Sequence, residues 1–99
     1  MAKTVRYHPD FENDVIEAAN WYDSHSSGLG DAFAANVLQA TESIISDPER
    51  FALTPRGIRY QRVKRFPYIV LFSVTETTLF FLGTLHTARS LEKWRKRRS

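Results

Sequence analysis

Three side chains in this sequence have the chemistry to handle an anion: Arg65, His86 and Arg89. Histidine takes or gives a proton near neutral pH, and arginine holds phosphate or carboxylate through a planar, two-pronged fork. They flank the most apolar run of the chain, Tyr68 to Leu85, and a dense cationic end follows, with Lys93, Arg95, Lys96, Arg97 and Arg98. A β-hairpin over that run would put His86 at the end of its second strand and Arg65 at the start of its first. Both would then lie at one end of a sheet, with Arg89 three residues on. Arg59, Tyr60, Arg62 and Lys64 precede the run and, with Lys93, Arg95, Arg97 and Arg98, make up a candidate surface for an acidic partner or a nucleic acid.

Charge is divided unevenly along the 99 residues. The first 49 carry two cations and nine acids, a net −7, and the remaining 50 carry twelve cations and two acids, a net +10. That asymmetry points to an interaction surface built from the second half. The acids have a simpler role: Asp10, Glu12 and Asp14 crowd one helix start, where the dipole favours negative charge. Cysteine is absent, which excludes disulfides and thiolate metal sites. No metal or cofactor is expected. The greasy run is interrupted by Ser73, Thr75, Glu76, Thr77 and Thr78, so no segment reads as a membrane span, and a cytoplasmic protein is the default expectation.

The elements that must position these residues follow in order. Thr4–Tyr7 is β-prone, and His8-Pro9 marks its end and the start of a helix. Phe11, Val15, Ala18, Ala19 and Tyr22 recur at helical spacing. Residues 24–28 break the pattern as a turn, and Leu29, Phe33, Val37, Ala40 and Ile44 form the stripe of a second helix that Asp47-Pro48 stops. Gly28-Leu29-Gly30 lacks the spacing and the Lys-Ser/Thr ending of a phosphate loop and reads as the hinge of a helical hairpin. Arg59–Val63 has the cations of an edge strand. Tyr68–Val74 and Thr78–Leu85 read as central strands joined through Thr75-Glu76-Thr77, and Ser90 can cap a short final helix carrying Leu91 and Trp94. The whole is one α+β domain, residues 1–99: an N-terminal strand, a helical hairpin on a small antiparallel sheet, and a C-terminal helix.

With these residues in that order, the chain resembles the RelE/ParE superfamily of bacterial toxins from type II toxin–antitoxin modules. The resemblance rests on His8-Pro9, Trp21-Tyr22, Gly28-Leu29-Gly30 with Phe33, Ile44 to Pro48, Arg65-Phe66-Pro67-Tyr68, and His86-Thr87-Ala88-Arg89 with Trp94 and Arg97 behind it. The Trp-Tyr pair and the Gly-Leu-Gly-x-x-Phe feature are more similar to the ParE branch. The resemblance implies a small toxin neutralised by a cognate antitoxin, in a hetero-oligomer with it. ParE-type members poison DNA gyrase without known catalytic residues, whereas RelE-type members cleave mRNA on the ribosome.

For the second activity a metal-independent ribonuclease needs a base for the ribose 2′-hydroxyl, cations for the developing charge and an acid for the leaving oxygen. Arg65, His86 and Arg89 would be its catalytic set. RelE-type enzymes usually add a C-terminal tyrosine or histidine, or a lysine-rich set. Here the chain after Trp94 is Arg95-Lys96-Arg97-Arg98-Ser99, which has no such proton carrier. The expectation is therefore a ParE-like inhibitor of gyrase, with an mRNA interferase as the alternative and a non-toxic antitoxin- or nucleic-acid-binding module as the third.

Overall fold

The computed structural model describes residues 3–54 and 57–88. Arg89, Lys93, Arg95, Arg97 and Arg98, and the expected helix after Ser90, lie outside the described residues. Strand β1 (Thr4–Tyr7) leads into helix α1 (Phe11–His25) and helix α2 (Leu29–Ser46), and a 3-10 turn follows at Pro48–Arg50. Strands β2 (Arg59–Arg62), β3 (Tyr68–Val74) and β4 (Thr78–His86) complete one sheet in the order β1-β4-β3-β2.

The sheet is mixed. β2, β3 and β4 run antiparallel as expected, but β1 pairs parallel to β4, with Val5 opposite Leu79 and Tyr7 opposite Phe81. A parallel pair needs a long crossover, and the helical hairpin supplies most of it. The β3–β4 turn lacks glycine, and Thr75 takes over the work. Its N–H donates to the Thr78 carbonyl at 2.9 Å, and its Oγ1 accepts the Thr78 N–H at 3.0 Å.

Leu71 pairs with Gly83 but Phe72 pairs with Phe81, so β4 holds one extra residue, Leu82. Such a bulge exchanges the faces of everything beyond it. Leu79 and Phe81 face the helices, where they join Phe33, Val37, Ile44, Val70 and Phe72 in the main core. After the bulge Leu85 points to the far face with Ile58, Leu71 and Leu82. Thr84 and His86, opposite Val70 and Tyr68, are thereby turned towards α1.

α1 takes in the first two residues of the expected turn, Ser24 and His25, and His25 Nδ1 lies 2.8 Å from the Trp21 carbonyl oxygen. α2 starts at the expected glycines. Gly28 sits at φ 87°, a conformation that suits a residue without a side chain, and the Gly30 N–H donates to Asp23 Oδ1 at 2.7 Å.

Candidate functional site

The end of the sheet at His86 is built by three short contacts. The Thr87 N–H donates to the Pro67 carbonyl at 2.9 Å, which holds the segment after β4 against the turn before β3. The His86 ring packs edge-on against Tyr68, centroids 5.1 Å apart. The Ala88 N–H donates to His86 Nδ1 at 3.0 Å. With Nδ1 accepting, the proton of a neutral ring sits on Nε2.

Arg65 lies at the same end, on the β2–β3 turn. Its backbone has φ 73°, uncommon for a residue with a side chain. Its guanidinium carbon stands 5.8 Å from the Phe66 ring centroid. Phe66 in turn meets Phe33 and Tyr22 edge-on, with centroids 5.2 and 4.8 Å apart, so the turn is anchored through its aromatic ring while Arg65 and Lys64 stay exposed. Arg65 and His86 thus occupy one end of the sheet, with no hydrogen bond between them.

A groove opens between this end and α1. Asp14, Glu17 and Trp21 line it from the helix, and Tyr68, Thr84 and His86 from the sheet. Asp14 does more than favour a helix start: its Oδ2 accepts the Thr84 N–H at 3.2 Å and joins α1 to β4 beyond the point where β1 ends. The Thr84 hydroxyl, 4% exposed as a residue, finds no hydrogen-bond partner among the described residues. Burial pushes the Tyr22 phenol above its ordinary value, and the neighbouring Tyr68 adds to this. Trp21 is 56% exposed, its ring tilted against that of His25 with centroids 4.0 Å apart.

The other expected partner-binding residues divide. Arg62 is exposed on the edge strand β2, as a contact residue should be. Tyr60 packs against the far-face core of Ile58, Leu71, Leu82 and Leu85. Arg59 Nη1 donates to the Glu49 carbonyl at 3.0 Å and the Phe51 carbonyl at 2.7 Å, tying the loop after α2 to β2. Both bonds are charge-assisted, so Arg59→Ala is expected to cost about 1.5–3 kcal/mol. Urea unfolding would show it, and a loss below 0.5 kcal/mol, taking ~0.5 as the scatter of ordinary surface substitutions, would return Arg59 to the contact surface.

Among the described residues no group of three or more histidines and carboxylates could hold a metal ion, and no helix is long and apolar enough to cross a membrane.

Together these features define a small α+β domain: a helical hairpin covering one face of a four-stranded mixed sheet, with a half-open groove at the sheet's end. The sequence profile of the family described as ParE toxin of type II toxin-antitoxin system, parDE, matches residues 5–91, and the chain belongs to that family. A chain of the chromosomal ParDE TA system from P. aeruginosa is similar in structure, with a TM-score of 0.75 over 86% of this chain and 96% of that one. Identity between the two is 12%, so this likeness is one of fold. No curated protein sequence matches.

Proposed function

We propose that this chain arrests growth by binding DNA gyrase as a protein inhibitor, and that a cognate antitoxin neutralises it in the cytoplasm. Membership of the ParE toxin family supports the reading. The single observation that carries it over ribonuclease chemistry is the setting of His86. Its Nδ1 is taken by the Ala88 N–H and its ring is packed on Tyr68, while the Arg65 guanidinium stands over Phe66. A residue so engaged closes a strand; among the described residues its hydrogen bond and ring contact involve no acid or cation, the second group that a general base needs within reach.

The decisive measurement is supercoiling by purified gyrase in the presence of purified chain, repeated with His86→Ala. The native chain should inhibit at micromolar concentration, and the substitution should change inhibition by less than about threefold. An acid–base catalyst would instead lose ~10²–10⁴-fold on removal of its histidine. Absence of inhibition by folded native chain would sink the gyrase assignment. Cleaved transcripts whose appearance depends on His86, Arg65 and Arg89 would favour the interferase.

A further inference from the structure

β1 covers the edge of β4 only from Thr78 to Phe81, and β4 runs on to His86. Along that remaining stretch α1 stands beside the edge, with Asp14 on the Thr84 N–H, and the groove described above lies between them. Its helical wall is acidic. Asp10, the N-cap of α1, and Asp14, Glu17 and Trp21 follow at intervals of four, three and four residues, one stripe on the helix, and all four line the groove. Like charges at this spacing destabilise a helix. The dipole offsets that for Asp10 and Asp14, but its influence fades within the first turn, short of Glu17.

A second feature also calls for a ligand. Thr84, turned towards α1 by the bulge, lines the groove and is 4% exposed, and its hydroxyl has no hydrogen-bond partner among the described residues. A buried polar group left in that state costs stability. The groove therefore suits a cation that brings several N–H donors. Among the described residues no lysine or arginine lines it. Arg65 comes two residues before Pro67 in its wall, but the Arg65 guanidinium lies over Phe66.

The chain itself delivers such a cation. It turns at Thr87 and Ala88, where the Thr87 N–H is held by the Pro67 carbonyl and the Ala88 N–H by His86, and Ala88 lines the groove. The next residue is Arg89, and residues 89–99 carry six cations against one acid, Glu92.

We propose that the groove is the docking site of the chain's own segment from Arg89 onward, with the Arg89 guanidinium among the carboxylates of Asp10, Asp14 and Glu17 and Asp14 at their centre. The planar fork of five donors can meet two carboxylates and a hydroxyl at once, which a lysine ammonium matches less well. A tethered arginine also prevails over an external one, because a short tether holds it at an effective concentration of about millimolar. Acids of the first half of the sequence and a cation of the second meet here. Arg89 is thereby withdrawn from phosphate chemistry, whereas Arg62, Lys64 and Arg65 stay exposed.

The proposal is independent of the gyrase reading. Urea unfolding of the native chain, Asp14→Asn, Arg89→Gln and the double variant tests it. Asparagine keeps an oxygen for the Thr84 N–H and removes the charge. Arg89→Gln should lower the folding equilibrium constant about tenfold in the native chain, and no more than about threefold beside Asp14→Asn. Equal factors in the two backgrounds would overturn the pairing. Should Arg89→Gln not fold, the native chain still decides. Its Arg89 Nε–H should exchange with water at least about tenfold more slowly than that of the exposed Arg6, and equal rates would overturn the docking. An added arginine-rich peptide should leave the Asp14 and Thr84 amide resonances of the native chain unmoved. Shifts that saturate at micromolar peptide would make the groove a site for an external basic partner and overturn the proposal.

Discussion

Phe33→Ala should lower the stability of the chain by about 3–5 kcal/mol, the range for emptying a fully buried aromatic site. Phe33 is wholly buried on α2, and its ring meets three others: Tyr68 at 4.9 Å, Phe66 at 5.2 Å and Tyr22 at 5.4 Å between centroids. These partners come from β3, the β2–β3 turn and α1, which cannot all collapse into the space because each is held by its own backbone. The cavity term should therefore be near its upper range. A domain of this size has about 5–15 kcal/mol in all, and each kcal/mol is worth ~4–8 °C, so the unfolding midpoint should fall by more than about 12 °C. Phe33→Leu, which keeps most of the volume, should cost much less. Equal losses for the two would mean that ring contacts, and not filled volume, hold this corner. The same ring supports Tyr68, on which His86 rests, so the alanine variant should also loosen the end of the sheet.

What was legible in the sequence follows from which interactions are local. Helical periodicity placed Phe11, Ala18, Phe33, Val37 and Ile44 in the core, and all five are there. Gly28, Gly30 and Pro48 marked the helix boundaries because backbone geometry at those residues is set by their own chemistry. The parallel placement of β1 was not legible, since strand order depends on where the crossover helices settle. Neither was the bulge at Leu82: adjacent apolar residues in β4 showed that both faces are covered, but not that Thr84 and His86 change sides. For the candidate site, the sequence brought Arg65 and His86 to one end of the sheet, where the structure has them. It gave Asp14 only a dipole role, because its partner, the Thr84 N–H, is 70 residues away. Arg59 looked like an exposed cation and instead binds carbonyls, a contact that no pattern of residue types announces.

Gly30→Ala tests the helical hairpin through the sign of the change. Gly30 is the second residue of α2, and alanine in a helix is ordinarily more stable than glycine by about 1 kcal/mol. Propensity alone would make the substitution stabilising. Packing argues the reverse. A Cβ at Gly30 would fall on the carbonyl oxygen of Ala19 and within 2.7 Å of the Asp23 carboxylate. The Asp23 side chain can rotate, although moving it breaks the 2.7 Å bond to the Gly30 N–H. The Ala19 oxygen cannot, because it belongs to the backbone of α1 and moves only if the two helices separate. Overpacking of this kind costs about 1–3 kcal/mol, and loss of a bond to a charged acceptor adds ~1.5–3. The expected net change is a destabilisation of about 2–5 kcal/mol, read by urea or thermal unfolding. Gly28→Ala gives the comparison. That site has φ 87° and open space around its would-be Cβ, so only backbone strain of about 1–2 kcal/mol opposes the substitution. Gly30 should therefore be the more costly position despite its ordinary helical backbone. The opposite order would show that the hairpin opens easily at its tip, and that the contact between Gly30 and α1 adds little to holding α1 against α2.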